Sequence, residues 1–247
     1  MFAILLYHGI EDGTPSDRRM DDLDREYVLE RRRFESHIAY LAAKPPAAVP
    51  VVISFDDGDL SGHTMAAPIL ERHGLRGSFF VVTGWIGRPG FMNADQLRDL
   101  VRRGHAVHSH SRSHPRLSSL STARIDDELI GSKTDLEAML GRAVTQFSIP
   151  GGAYDDRVID AARRAGYQAV FNSVEGYNDD NAGAFLRQRF TPRAYSDVAM
   201  LREICEHPAR TKARMAAKRA LLGTTRGLIG DSVYGKLRSI WLRRAGG

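Results

Sequence analysis

Apolar and polar positions along this chain alternate in a way that predicts strands and helices in succession. Met1-Phe2-Ala3-Ile4-Leu5-Leu6-Tyr7-His8 reads as a first strand, followed by a surface loop over Glu11 to Asp24, rich in Asp, Gly and Pro. Phe34, Ile38 and Leu41 recur at helical spacing and predict an amphipathic helix over 31–43, stopped by Pro45-Pro46. The β-branched run Val51-Val52-Ile53-Ser54-Phe55 predicts a buried strand. Residues 62–73 read as a helix closed by Gly74, Ser78 to Thr83 as a strand, and Asp95 to Arg103 as a short helix ended by Gly104. A strand running into a His-rich turn comes next. Ser121 is placed as a helix N-cap with Leu120 as staple, and Ile125, Leu129, Leu136 and Leu140 mark one apolar face up to Gly141. A strand at Val144 to Ile149, a helix from Asp156 to Arg164 and a strand at Gln168 to Phe171 follow. This alternation predicts an α/β protein with a parallel, barrel-like sheet and a site at the C-terminal ends of its strands. After Tyr195 the pattern weakens, and 210–222 and 232–244 read as two basic helices.

Length and composition narrow the picture. A chain of 247 residues, 43% of them hydrophobic, suits one large α/β domain, and no stretch approaches the length of a membrane span. The N-terminal run lacks a basic leader and reads as a strand rather than a secretion signal. The single cysteine, Cys205, excludes an internal disulfide and fits a reducing compartment, so the expected location is cytoplasmic, extending to the inner membrane as a peripheral protein. The net charge of +5 hides an asymmetry: 210–247 carries ten Lys or Arg against Asp231, or +9, which leaves −4 on 1–209. The basic tail reads as a solvated helical face, or as a contact for anionic lipid headgroups, an acidic glycan or a partner protein. Nucleic acid is not expected, because aromatic interleaving is sparse.

Chemistry concentrates in two stretches. Asp56-Asp57-Gly58 puts two carboxylates at the end of a buried strand, where neighbouring side chains point to opposite sides and are expected to do different jobs. In the second stretch, His105 to Pro115, His110 and His114 stand four apart and can aim at one ion. One carboxylate and two imidazoles with an open position form the ligand set of a catalytic divalent metal, leaving the other carboxylate as a candidate base. His105, His108, His63 and His73 read as ordinary structural or surface residues. Trp85 reads either as core or as a platform for a sugar ring.

These residues resemble the polysaccharide deacetylases of the NodB-homology type, carbohydrate esterase family 4. The family's Thr/Ser-Phe-Asp-Asp-Gly motif is matched by Ser54 to Gly58, its His-Ser/Thr-x-x-His-Pro-like motif by His110 to Pro115, and its Pro-Gly-Gly or Pro-Tyr-Gly element by Phe147 to Asp155. The likeness extends through Pro68-Ile69-Leu70, His73-Gly74-Leu75, Gly77 to Val81 and Ala165 to Val170, covering roughly residues 1–195. It implies an irregular (β/α)7 barrel forming a deacetylase domain over 1–209, with 210–247 as a basic helical extension.

The resemblance also implies roles. Asp57, His110 and His114 would hold a divalent metal, zinc first, with Co2+, Ni2+ or Fe2+ as alternatives, and Asp56 would be the general base. Gly151 would offer its N–H to the oxyanion, and Pro150, Gly152, Tyr154 and Trp85 would face the substrate, although Gly151-Gly152 also reads as a simple turn. The expected substrate is an N-acetylated glycan or glycan intermediate of exopolysaccharide or envelope biosynthesis. Most members place a catalytic His in a late motif, and His207 fits that poorly. A permuted branch, the poly-N-acetylglucosamine deacetylases, opens with a strand ending in Tyr-His, and Tyr7-His8 matches it, which assigns His8 as general acid. Two departures stand out. Ser148 replaces the Arg that supports the base, with Arg193 as the expected substitute, and Asp59 stands where an aromatic residue is common. The rival readings are an amidohydrolase of a small non-glycan amide and a non-catalytic glycan-binding protein on the same scaffold.

Overall fold

The structure, a computed structural model, describes residues 1–13, 25–179 and 184–220. The chain divides into two units, Met1–Glu206 and His207–Gly247. Among the described residues, the first holds nine strands: β1 (Ala3–Tyr7), β2 (Ile10–Glu11), β3 (Leu29–Glu30), β4 (Val51–Phe55), β5 (Gly77–Val81), β6 (Ala106–Ser109), β7 (Gln146–Ser148), β8 (Ala169–Phe171) and β9 (Leu186–Arg187). Seven of them form one parallel sheet in the order β1-β4-β5-β6-β7-β8-β9, while β2 and β3 pair as a small separate ribbon. The sheet closes on itself through isolated bridges, Asn178 to Phe2 and Phe190 to Leu5. Arg187 pairs with Phe171 of β8, and three residues later Phe190 bridges to β1, donating to Ile4 O at 2.8 Å and accepting from Leu6 N at 2.8 Å.

The helices are α1 (Arg31–Ala43), α2 (Ala67–Arg72), α3 (Ala94–Arg102), α4 (Thr122–Leu140), α5 (Asp156–Arg164) and α6 (Val198–Glu206). The limits of α1 and α5 are those the periodicity predicts. The helix expected over 62–73 splits into a π-helical turn, Gly62–Ala66, and α2. Pro68 explains the break, because it has no N–H to give to the preceding turn. Asn93 and Gln96 form a capping box at the start of α3. Ser121 occupies the N-cap position of α4 but makes no side-chain capping bond, and Gly141 ends that helix in a left-handed conformation.

Strand alternation sorts the core into two faces. Outside, Tyr7, Phe55 and Phe79 stack in a row, with ring centroids 5.6 and 4.7 Å apart, and Phe34 of α1 packs edge-on to Tyr7. Inside, Ile4, Phe80 and Phe171 cluster. The same alternation puts Ser54, His108 and Ser148 on that inner face, so the strands turn polar groups inward near their C-terminal ends. In the second unit, residues 208–220 are helical. The helix expected over 232–244 and most of the Glu11 to Asp24 loop lie outside the described residues. No helix among the described residues is long and apolar enough to cross a membrane.

His37 of α1 is fully buried, with Nε2 3.0 Å from Ser196 O and Nδ1 3.2 Å from the Tyr7 hydroxyl. A neutral imidazole satisfies both partners, Nε2–H donating to the carbonyl and Nδ1 accepting from the hydroxyl. Burial pushes its pKa down to about 4, against the opposing pull of the Ser196 carbonyl. A depressed folded-state value means that the unfolded chain binds the extra proton. The stabilisation is therefore complete above the ordinary imidazole pKa and disappears as pH falls toward 4. Urea midpoints should fall across that interval by an amount equivalent to about 3 kcal/mol for this group. The acid-side slope should be shallower in His37→Gln.

Candidate active site

Three parallel strands deliver the central residues. Asp56 continues the ladder beyond β4, its N–H donating to Tyr7 O at 3.0 Å, and Asp57 then takes φ +75°. The expectation that the two carboxylates point apart is therefore modified: the left-handed turn brings Asp57 Oδ1 within 3.5 Å of His110 Nε2, with Asp56 Oδ2 at 3.7 Å. The next glycine, Gly58, is also left-handed, and a Cβ there would approach Val81 Cγ1 to 3.0 Å. His110 extends β6, its N–H donating to Val81 O at 2.9 Å. Beyond it Ser111 and His114 adopt φ +68° and +61°. Among the described residues, Asp57, Ser111 and His114 are the non-glycines with positive φ, and all three belong to this site. Such backbone costs on the order of 1–3 kcal/mol per residue and persists only where its surroundings enforce it.

The surroundings of the 111–114 loop do so. Thr83 N donates to Ser111 O at 3.1 Å, and Gly84 N to Arg112 O at 2.8 Å. A Cβ on Gly84 would lie 2.6 Å from that carbonyl oxygen, so the loop seats against backbone that only glycine allows so near.

Ligand atoms of Asp57, His110 and His114 lie within 4.8 Å of one another. Asp57 Oδ1 is 3.5 Å from His110 Nε2 and 3.6 Å from His114 Nε2. Two ligands bound at about 2.1 Å to one tetrahedral ion stand about 3.4 Å apart, so these spacings fit a small divalent cation. His110 Nδ1 lies 2.8 Å from Ser148 O, a bond that assigns its proton to Nδ1 and leaves the Nε2 lone pair facing Asp57. Burial opposes charge on His110, but Asp56 and Asp57 together hold its pKa above the ordinary value. For His114, burial and then the neighbouring His110 push it down to about 4.

Asp56 keeps different company. Arg189 Nη1 donates to its Oδ1 at 2.8 Å, Nη2 to its Oδ2 at 2.8 Å, and Ser148 Oγ also donates to Oδ2 at 2.8 Å. Arg189 is wholly buried, with its guanidinium 5.8 Å from the ring centroids of both Phe80 and Phe171 and its Nε donating to Asn172 O. Burial works against the Asp56 charge, yet Arg189 and then His110 hold its pKa below the usual carboxylate range. The arginine on Asp56 is thus Arg189 and not Arg193, which pairs with Glu26 and lies over the Tyr27 ring. The physical reason is register: Arg189 falls between β9 and the Phe190 bridge, whereas Arg193 lies three residues beyond that bridge, beside Glu26 and Tyr27.

His8, one residue beyond β1, is placed in the field of Asp57, Asp56 and His110; burial lowers its pKa against the pull of those two acids. Its Nδ1 is buried without a hydrogen-bond partner, and the Tyr27 ring packs 5.1 Å away. Trp85 is half-buried, 5.1 Å from the His114 ring and 4.9 Å from Phe91. Ser148 bonds to both Asp56 and His110, so the segment after β7 leaves from the site itself. There Pro150 is buried, Gly151 and Gly152 are left-handed, and Tyr154 is exposed. Sequence reasoning missed Arg189. It also missed Glu128, whose signal was present: it falls three residues after Ile125 on the apolar stripe of α4 and is 2% exposed.

A family model described as polysaccharide deacetylase matches residues 43–170, a span that holds β4 to β7, the Asp56-Asp57 turn and the histidine loop. His8 and Arg189 lie outside it. YxkH of Bacillus subtilis is 24% identical over 204 residues, covering 75% of this chain and 69% of that protein. The peptidoglycan-N-acetylmuramic acid deacetylase PdaA of the same species is 29% identical over 129 residues, 50% of this chain and 46% of PdaA, so less than half of that relative is spanned. In fold, the chain is similar to the Streptococcus pyogenes deacetylase PplD in complex with acetate, with a TM-score of 0.69 at 20% identity over 81% of this chain and 96% of that one. On a match that takes in more than half its length and both acid- and histidine-bearing strands, the chain belongs to the polysaccharide deacetylase family.

Proposed function

We propose that this protein hydrolyses the N-acetyl amide of an N-acetylhexosamine unit in a glycan or glycan intermediate, using a divalent cation held by Asp57, His110 and His114. The observation that carries this reading is the division of labour between adjacent carboxylates. Asp57 faces two imidazoles at 3.5 and 3.6 Å, whereas both oxygens of Asp56 are engaged by Arg189. Membership of the family, and relatives such as PdaA that are named for deacetylating peptidoglycan sugars, support an acetylated glycan as substrate.

Bound there, the cation would polarise the acetyl carbonyl as a Lewis acid. Arg189 and Ser148 fix the plane of the Asp56 carboxylate, and the low pKa keeps it ionised as a proton acceptor for the attacking water. The left-handed Gly151 is assigned the oxyanion through its N–H. His8 is assigned delivery of a proton to the departing nitrogen, so that water and amide become acetate and amine in balance. Trp85, beside His114, is the surface on which a sugar ring would stack. An exopolysaccharide or envelope glycan is the reading that the Tyr7-His8 strand end favours.

Purified wild type should hold close to one divalent ion per chain by elemental analysis, and Asp57→Ala and His114→Ala should lose most of it. Asp56→Asn should keep the metal while acetate release from N-acetylglucosamine oligomers falls by about 10²–10⁴-fold. Unchanged turnover would remove Asp56 from the role of base. Arg189→Met would leave Asp56 buried without its counter-charge and should cost about 3–5 kcal/mol in urea unfolding. The double variant with Asp56→Asn should recover part of that loss while remaining inactive.

A further inference from the structure

The histidine loop is held from a second side by a residue to which none of these roles belongs. Glu128, in the middle of α4, is 2% exposed and directs its whole carboxylate at the loop. Its Oε2 accepts from Arg112 N at 2.9 Å and Ser113 N at 2.8 Å, and its Oε1 accepts from Ser113 Oγ at 2.5 Å. Two successive backbone N–H groups converge on one oxygen only when the chain curls around it. The curl is the one made by Ser111 and His114, whose left-handed φ values flank the two bonded residues. His114 N closes the turn on Ser111 Oγ at 3.0 Å.

The same helix grips the loop elsewhere. The Arg112 guanidinium bonds to Asp135 at 3.0 and 3.1 Å and to Asp127 at 3.2 Å, and it covers Gly131 so closely that a Cβ there would stand 2.5 Å from Arg112 Cζ. Those outer bonds are partly exposed and orient a side chain. The Glu128 carboxylate is itself removed from water, and its bonds act on the backbone that carries His114.

We infer that Glu128 is a positioning residue for the cation site: its carboxylate stabilises the left-handed turn that delivers the His114 imidazole to Asp57 and His110. This rests on the reading that Asp57, His110 and His114 hold the cation. Groups that orient metal ligands typically change affinity by about 10–100-fold when removed. A strut between helix and loop would change folding stability alone.

Gln suits this position as the conservative control. Its carbonyl oxygen can accept both backbone N–H groups while its NH2 donates to Ser113 Oγ, which reverses from donor to acceptor. Asp keeps the charge but withdraws it by one methylene, out of reach of the loop. The test is Zn2+ affinity by competition with a chelating dye for wild type, Glu128→Gln, Glu128→Asp and Glu128→Ala, with melting midpoints of the metal-free proteins. The visible absorption of the Co2+ forms reports ligand geometry. The expected result is affinity about 10–100-fold weaker and an altered Co2+ spectrum in Glu128→Asp and Glu128→Ala, with Glu128→Gln close to wild type. If Glu128→Ala does not fold, Glu128→Asp carries the test. Wild-type affinity and spectrum in Glu128→Asp, whatever its melting point, would overturn the inference. Failure of wild type itself to bind Zn2+ or Co2+ would remove the cation site, a result distinguishable because it precedes any variant.

Discussion

The ion pair between Arg189 and Asp56 is the constraint on which the rest of the site depends. An ionised carboxylate that is 3% exposed costs several kcal/mol unless it is neutralised and hydrogen-bonded, and Arg189 does both with paired donors. The arginine is itself removed from water, so its remaining donors need partners. Asn172 O, Ser148 Oγ and two phenylalanine faces supply them. Each partner belongs to a strand or a strand end of the sheet. The pair therefore ties β4, β5, β7 and β8 to the segment after β9, and three donors fix the plane of the Asp56 carboxylate.

The second organising fact is strain. Three non-glycine residues accept left-handed backbone, and they bring into one small volume groups that regular strands would leave apart. Asp57 turns so that it faces His110 instead of the opposite side of the strand. His114 returns toward a site that the chain has already passed. The loop pays for this geometry with hydrogen bonds on two sides, from the 83–84 turn and from Glu128.

How much of this was legible in the sequence depended on the range of the interaction. Strands with long apolar runs and helices with clear stripes, such as Phe34, Ile38 and Leu41, announce themselves because burial of one face is a local pattern. The Asp56-Asp57 turn and the His110, His114 spacing are likewise local. Arg189 and Arg193 are four residues apart, just after β9, a strand of two residues, and no periodicity can say which of them faces inward. Ser148 looked like a deficit because the partner that completes it is 41 residues away in sequence. Glu128 occupies an apolar stripe, and a carboxylate there has to be paired, but its partners are backbone groups of another element. The β2–β3 ribbon and α6 are short and carried little pattern.

The closure of the barrel has a consequence for how the protein comes apart. Along its other seams the sheet is joined by strands, but between β8 and β1 it is joined by the two-residue β9 and two isolated bridges, Phe190 to Leu5 and Asn178 to Phe2. Segments with so few backbone bonds open at lower free energy than the whole fold. The segment that opens there is the one that carries Arg189. Opening this seam has to break the buried pair with Asp56, so side-chain bonds across the interior, more than a backbone ladder, hold the barrel shut.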